Sequence, residues 1–364
     1  MKYTMEDFMI EAPQVARRNI ENRKELTKKF VDIFMKKKYE RICMVACGTS
    51  YNIACNARYF MMKYLQMDVR TVWAYTFTSY DVNTVDDKTL VIFLSQSGHS
   101  TNTIAAARML KERKIDAIAL TNFPDSPLKD EVKSIMAYGS TLNDLFVAKG
   151  VIISTLFLML ASLEAALASG RVDAAQYEQV LAQISKAVEK LDESHQLAMD
   201  FYQKNKAFCQ QFYRMMLVGC GPTFGTALEG CQKMQENYGC AATAFEVDEF
   251  SHGPNMEVTK DVAVFFLDSA NHSPVHSRIL QGYACTKGLT DRVVLLTHDP
   301  RVTGDYVLRF RDDGIDDEIA VLYLVCPFQY WAHKICEDLR VTSWDRAVAK
   351  YLDDMNTKVP GVRY

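Results

Sequence analysis

The chain lacks the features that announce several common classes of protein. Its 364 residues carry 42 lysines and arginines against 45 aspartates and glutamates, a net charge of −3, so no basic excess marks a nucleic-acid surface. No basic helix-turn-helix pattern precedes residue 40 either, and neither DNA nor RNA is an expected partner. Ten cysteines are present, but none stand at CxxC spacing, and Cys43, Cys47, Cys220 and Cys326 sit in apolar runs. That usage points to reduced, buried thiols in a cytoplasmic protein rather than to disulfides. His272 and His276 are separated by Ser273-Pro274-Val275 with no cysteine or carboxylate cluster adjoining, so no metal is expected. The stretch 151–163 is too short to span a bilayer, which takes about 18 apolar residues, and it reads as a buried helix. The N-terminus MKYTMEDFMIEAP lacks the basic start and apolar core of a signal peptide, and no membrane partner is expected.

What is present is an alternation of strand-like and helix-like segments, long enough for two cores. Residues 5–38 show apolar positions at helical spacing, with Pro13 early in them, and predict an N-terminal helical arm. The run 41–47 is nearly continuously apolar, as a central parallel strand is, and leads through Gly48-Thr49-Ser50 into a helix ending near Leu65. Strands follow at 69–75 and 89–94. The second of these ends in Ser95-Gln96-Ser97-Gly98-His99-Ser100-Thr101 before another helix. Further strands are expected at 116–120 and 134–138, with helix from Val147. This order predicts a doubly wound parallel sheet with ligand loops at the carboxyl ends of its strands. Both polar turns fall at such ends and offer hydroxyls and helix-initial N–H groups to a phosphate, although serine and threonine are also ordinary helix N-caps. Neither turn has the glycine spacing of a dinucleotide fingerprint or a P-loop, so nucleotide binding is disfavoured.

A polar helical connector is expected over 171–205, after which the pattern begins again. Aligning residues 39–50 with residues 212–223 sets Cys47-Gly48 against Cys220-Gly221, and strands at 262–267 and 293–297 repeat the later ones, with a helix near 276–288 between them. This is an internal duplication. The fold class expected is therefore α/β, two tandem doubly wound domains, with an arm at 1–38, a first domain at 39–170, the connector at 171–205 and a second domain at 206–364. In the second half the helix after the polar turn carries Glu229, Lys233 and Glu236 on one face. It stops at Tyr238-Gly239, and the chain later turns at His252-Gly253-Pro254. Glutamate and lysine four apart also stabilise many solvated helices, and a histidine beside Gly-Pro is also a common turn residue. Together they make an acid/base site, and one half reads as built to bind, the other to react.

At these residues the chain resembles the SIS-domain sugar phosphate proteins, whose domains are flavodoxin-like. The likeness is to the isomerase half of glucosamine-6-phosphate synthase and to deglycases of 6-phosphorylated fructosamines. It is carried by Cys47-Gly48-Thr49-Ser50, Ser95-Gln96-Ser97-Gly98, Ala227-Leu228-Glu229-Gly230 with Glu236, and His252-Gly253-Pro254. The resemblance implies that Thr49, Ser50, Ser95, Gln96, Ser97 and Ser100 hold the sugar phosphate, and that Glu229 and Lys233 line the site. It implies Glu236 as the base between C1 and C2, and His252 as the ring-opening or acid group, contributed by a neighbouring subunit of a homodimer or larger assembly. Some positions depart from the pattern. The helical arm stands where the synthase has its glutaminase domain, so no ammonia source is expected. Lys149 in Val147-Ala148-Lys149 replaces a small polar residue, and Lys358 in the tail lies near, but offset from, the synthase's Schiff-base lysine. The Gly361-to-Tyr364 ending resembles the deglycase tail.

Proton transfer between adjacent carbons of an open-chain sugar needs no cofactor. One placed carboxylate suffices, with typically about 10²–10⁴-fold from each positioned acid/base group, and a remote phosphate orients the reacting end. The resemblance thus implies a cytoplasmic deglycase that cleaves a 6-phosphorylated Amadori product to an aldose 6-phosphate and an amino acid. An aldose–ketose isomerase or amino-sugar phosphate deaminase remains open, with Lys358 and Lys233 as its best features, and so does a non-catalytic sugar phosphate sensor.

Overall fold

The computed structural model describes residues 3–141, 144–342 and 345–360, so the Gly361-to-Tyr364 ending lies outside the described residues. The chain divides into two units that do not follow chain order. A first unit comprises 14–179 with 345–364, and a second comprises 1–13 with 180–344.

In the first unit β1 (Arg41–Ala46), β2 (Asp68–Trp73), β3 (Thr89–Leu94), β4 (Ala117–Thr121) and β5 (Ser134–Ala137) form a parallel sheet of order β2-β1-β3-β4-β5. Every residue of β3 is buried, as a strand covered by helices on both faces requires. One face packs Val45, Val91 and Phe93 with Phe77, Ile104 and Leu110. The Thr49–Leu65 and Arg23–Lys36 helices pack on the Ala148–Ala168 helix. By length and composition that last helix could cross a membrane. Within the protein 83% of its apolar window is buried, which makes it a core helix.

The second unit repeats the plan with β6 (Arg214–Gly219), β7 (Ala241–Glu246), β8 (Val262–Leu267), β9 (Val293–Thr297) and β10 (Val307–Arg309), in the order β10-β9-β8-β6-β7. Its order in chain terms matches that of the first sheet, so the duplication seen in the sequence is a duplication of fold. Met216, Val218, Val264, Phe266 and Leu295 pack with Ile279 and Tyr283. The helical arm exists as Met5–Glu21 and Arg23–Lys36, the first running through Pro13, and most of the connector is the Ala174–Lys204 helix. Sequence reasoning missed β10 and the Asp317–Leu324 and Cys326–Leu339 helices. Their near-continuous apolar run around 319–328 shows no strong helical period. All ten cysteines are free, with Cys285 exposed and Cys43, Cys209, Cys231, Cys240 and Cys326 buried.

One close approach sets the Pro222–Tyr238 helix against its sheet. At Gly230 an added Cβ would stand 2.6 Å from Leu217 Cδ2 and 2.9 Å from Phe328 Cγ. Replacing glycine by alanine inside a helix gains about 1 kcal/mol of propensity, whereas overpacking a core costs about 1–3 kcal/mol. The ring root of Phe328 has little freedom to retreat, so the steric cost wins. Gly230→Ala is expected to lower the stability of the full chain by about 1 kcal/mol in urea unfolding.

Candidate active site

In both sheets the strand order reverses between the first and third strands, and in open parallel sheets the loops leaving such a pair at their carboxyl ends flank a crevice. In the first unit these loops are Cys47–Ser50 and Ser95–Thr101. Gly48, with φ 58° and ψ −141°, turns the chain into the Thr49–Leu65 helix, whose first turn has N–H groups without intrahelical carbonyls. Thr49 is buried and Ser50 half-buried beside it. The second loop is wound tightly. Gly98 N donates to Ser95 O and to Ser95 Oγ, each at 3.1 Å, and Ser95 Oγ donates to Ser100 Oγ at 3.3 Å. Gln96 is pinned by its carbonyl, which accepts Asn122 N at 2.9 Å and Thr121 Oγ1 at 3.1 Å. Gly98 has φ +66°, and a Cβ there would fall 1.8 Å from Ser126 Oγ, so this loop requires glycine. Ser126 Oγ and Thr101 Oγ1 are buried here without hydrogen-bond partners.

The tail completes this cluster. Thr101 N donates to Thr357 O at 3.1 Å and Val359 N to His99 O at 3.0 Å, so Lys358 bridges Ser100 as a short antiparallel pair. Lys358 Nζ donates to Ser100 Oγ at 3.0 Å and Ser97 Oγ at 3.3 Å. Burial pulls the Lys358 ammonium below the usual lysine range, with Cys47 acting weakly the other way. Cys47 Sγ in turn accepts Asn102 Nδ2 at 3.0 Å. The structure thus brings Ser95, Ser97, Ser100 and Lys358 together around one loop. Lys149 is buried at the start of its helix, where its N–H donates to Asp144 Oδ1 at 3.0 Å and its ammonium to Thr141 Oγ1.

In the second unit the Pro222–Tyr238 helix carries the charged trio. Lys233 Nζ lies 3.2 Å from Glu229 Oε1 and 2.7 Å from Glu236 Oε2. Glu229 and Lys233 are fully buried, so this is not the solvated pair their spacing also allowed. Burial alone would lower the Lys233 pKa, but the carboxylates of Glu229 and Glu236 reverse this and hold it above the usual lysine range. Glu236 differs from Glu229 in being 35% exposed, and Gln232 Nε2 donates to its Oε1 at 2.7 Å. The two oxygens of Glu236 therefore have separate donors, and the carboxylate is oriented while still reaching solvent. Gln232 was missed from the sequence, although its spacing of four from Glu236 was a usable signal. His252 lies apart from this trio in its bonding. It is exposed in the turn after the Val247–Phe250 helix, and its Nδ1 meets Asp248 O at 2.8 Å.

A further cluster follows β8, where His276 joins Asp268 and Asp299, while His272 Nε2 meets Asp316 Oδ1 at 3.1 Å. The two histidines diverge to different carboxylates. Among the described residues no group of three or more His, Cys, Asp or Glu side chains is arranged to hold a metal ion.

Two parallel sheets of the same strand order, with hydroxyl or charged side chains on the loops at the strand reversal, define a tandem α/β protein. Residues 34–169 match the family model described as SIS domain. A glutamine–fructose-6-phosphate aminotransferase [isomerizing] from Clostridium perfringens is 27% identical over 282 residues, 72% of this chain and 44% of that protein. The chain thus spans about half the length of the curated relatives it matches. A candidate phosphosugar isomerase from Clostridium difficile 630 superposes with TM-score 0.85 at 20% identity, covering 99% of this chain and 100% of that one. The C-terminal domain of glucosamine-fructose-6-phosphate aminotransferase from Francisella tularensis gives TM-score 0.74 at 22% identity, over 92% and 96% of the two chains. At such identities these structures establish the shared fold of two parallel sheets.

The buried trio generates a stability prediction. Removing one member of a buried ionic cluster costs about 3–5 kcal/mol, because it leaves a desolvated charge behind. Lys233→Met is therefore expected to destabilise the chain by that order in urea unfolding at neutral pH. The Lys233 pKa is raised on folding, so its contribution is fully present below the ordinary value of 10.5 and is lost as pH climbs through the higher folded value. The gap between wild type and variant should narrow above pH 10.5.

Proposed function

We propose that the chain is a cofactor-independent enzyme of sugar phosphates that moves a proton between C1 and C2 of an open-chain substrate. The specific reaction we propose is cleavage of a 6-phosphorylated 1-amino-1-deoxy-ketose. Glu236 takes the C1 proton and returns it at C2, which converts the ketosamine to an aldose imine, and water then releases an amino acid and an aldose 6-phosphate. The observation that carries this reading is the Glu236 carboxylate, oriented by Lys233 and Gln232 yet open to solvent. Ser95, Gln96, Ser97 and Ser100, with Thr49 and Ser50 at a helix start, supply the phosphate-holding groups. Support comes from the SIS match and from relatives named as isomerizing aminotransferases of fructose 6-phosphate. His252, exposed on its turn, serves a neighbouring copy of the chain in this reading.

The test is glucose 6-phosphate release, coupled to a dehydrogenase, from 6-phosphorylated fructoselysine, fructose-asparagine and glucoselysine, with fructose 6-phosphate plus ammonia as comparison. Turnover of one conjugate is expected. Glu236→Gln should lower it by at least about 10²-fold while calorimetry still shows substrate binding, and near-normal turnover in that variant would remove Glu236 as the base.

Lys358 favours a second reading, ketose–aldose isomerisation or deamination of an amino-sugar phosphate. Its ammonium is partly desolvated and lies on the serine loop, so a larger share of neutral amine is available at a given pH to attack a sugar carbonyl. Under this reading borohydride added with fructose 6-phosphate should attach the reduced sugar to Lys358, seen by peptide mass. Lys358→Met should abolish the adduct, and absence of any adduct in the wild type would leave the first reading alone.

A further inference from the structure

The duplication equates the loop after β3 with the loop after β8, and hydrogen bonds fix the correspondence. Ser95 N donates to Leu120 O at 3.1 Å, and Asp268 N donates to Leu296 O at 2.9 Å. One residue further along the neighbouring strands, Thr121 O accepts Tyr138 N at 3.3 Å and Thr297 O accepts Phe310 N at 2.9 Å. Ser95 and Asp268 therefore occupy one position in two copies of the fold, as do Thr121 and Thr297.

The side chains at that position differ in charge. In the first unit a serine opens the loop. In the second a carboxylate that is 1% exposed fills the same place. Both oxygens of Asp268 are engaged: Oδ1 lies 2.9 Å and Oδ2 3.1 Å from His276 Nδ1, and Oδ2 accepts Thr297 Oγ1 at 2.5 Å. These are the donors such a crevice would otherwise present to an anionic ligand. A second carboxylate adjoins His276, whose Nε2 lies 3.6 Å from Asp299 Oδ2, and Arg301 forks onto Asp299, at 2.9 Å from Oδ1 and 2.7 Å from Oδ2. The adjoining loop is closed in the same sense. Pro222 stands at the position of Thr49 and has no N–H, and Thr223 Oγ1, at the position of Ser50, accepts Cys220 N at 2.9 Å and donates to Cys220 O at 3.0 Å.

We infer that Asp268 is a built-in anion. The chain's own carboxylate takes the donors of the second crevice, so that crevice rejects phosphate and the chain offers one anion-accepting crevice. The duplicated site has become a structural lock, with Thr297 holding the end of β8 to the end of β9 and His276 holding it to the start of the His276–Thr286 helix. This inference is independent of which sugar phosphate reaction the chain performs.

Chemical rescue of the full chain tests it. Asp268→Ala leaves a carboxylate-sized gap facing His276 and Thr297, and the variant is expected to melt several degrees below wild type. Sodium formate at tens of millimolar should restore most of that loss, compared with sodium chloride at equal ionic strength, and should leave wild type unmoved. A variant whose melting temperature responds to formate no more than wild type does would overturn the inference. Should the alanine variant not fold, Asp268→Asn keeps the shape and removes the charge. Its melting temperature should then fall below that of wild type, and an unchanged value would overturn the inference equally.

Discussion

A parallel strand buried on both faces has to hand its chain to a helix at one end of the sheet, and the backbone polar groups there have no ladder partners. In this protein that constraint recurs at every strand end, and where the strand order reverses it leaves a gap that no crossover helix covers. The crevices exist because of the sheets. What each does depends on the few side chains that reach its lip.

The two copies of the fold show how far those few side chains can diverge. After β3, serines and a glycine at φ +66° wind a loop whose donors face inward, and the tail adds the ammonium of Lys358. After β8, an aspartate and a histidine close on one another. The helix after β6 has taken a different course again, with a buried lysine flanked by two glutamates, one sealed from water and one not. Burial separates their roles. A sealed Glu229 can only balance charge, while an exposed and oriented Glu236 can exchange a proton with a substrate.

Much of this was legible before any coordinates. β3, β8 and β9 have the bounds their apolar runs suggested, because a strand buried on both faces leaves an uninterrupted apolar run between turn residues. The Cys47-Gly48 and Cys220-Gly221 turns marked the duplication. The spacing of Glu229, Lys233 and Glu236 placed them on one face, since helical geometry is fixed. The Asp317–Leu324 helix and the first half of the Cys326–Leu339 helix escaped notice because a buried helical segment has no polar face, and without one its period disappears.

The sequence by itself determined the alternation of elements, the two sheets, the duplication and the identity of the polar turns, all of which depend on local periodicity and turn chemistry. Only the tertiary structure decided which of those groups meet. Spacing cannot report burial, so the same Glu-Lys pair could have lain on a solvated face. Spacing also cannot report contacts between residues hundreds of positions apart, so the backbone pairing of Thr101 with Thr357 and of His99 with Val359 had no sequence signal. In the sequence His276 stood at the start of an expected helix, and nothing marked Asp268 as its partner. Their pairing, and the closed second crevice it produces, comes from a loop geometry that no local pattern encodes.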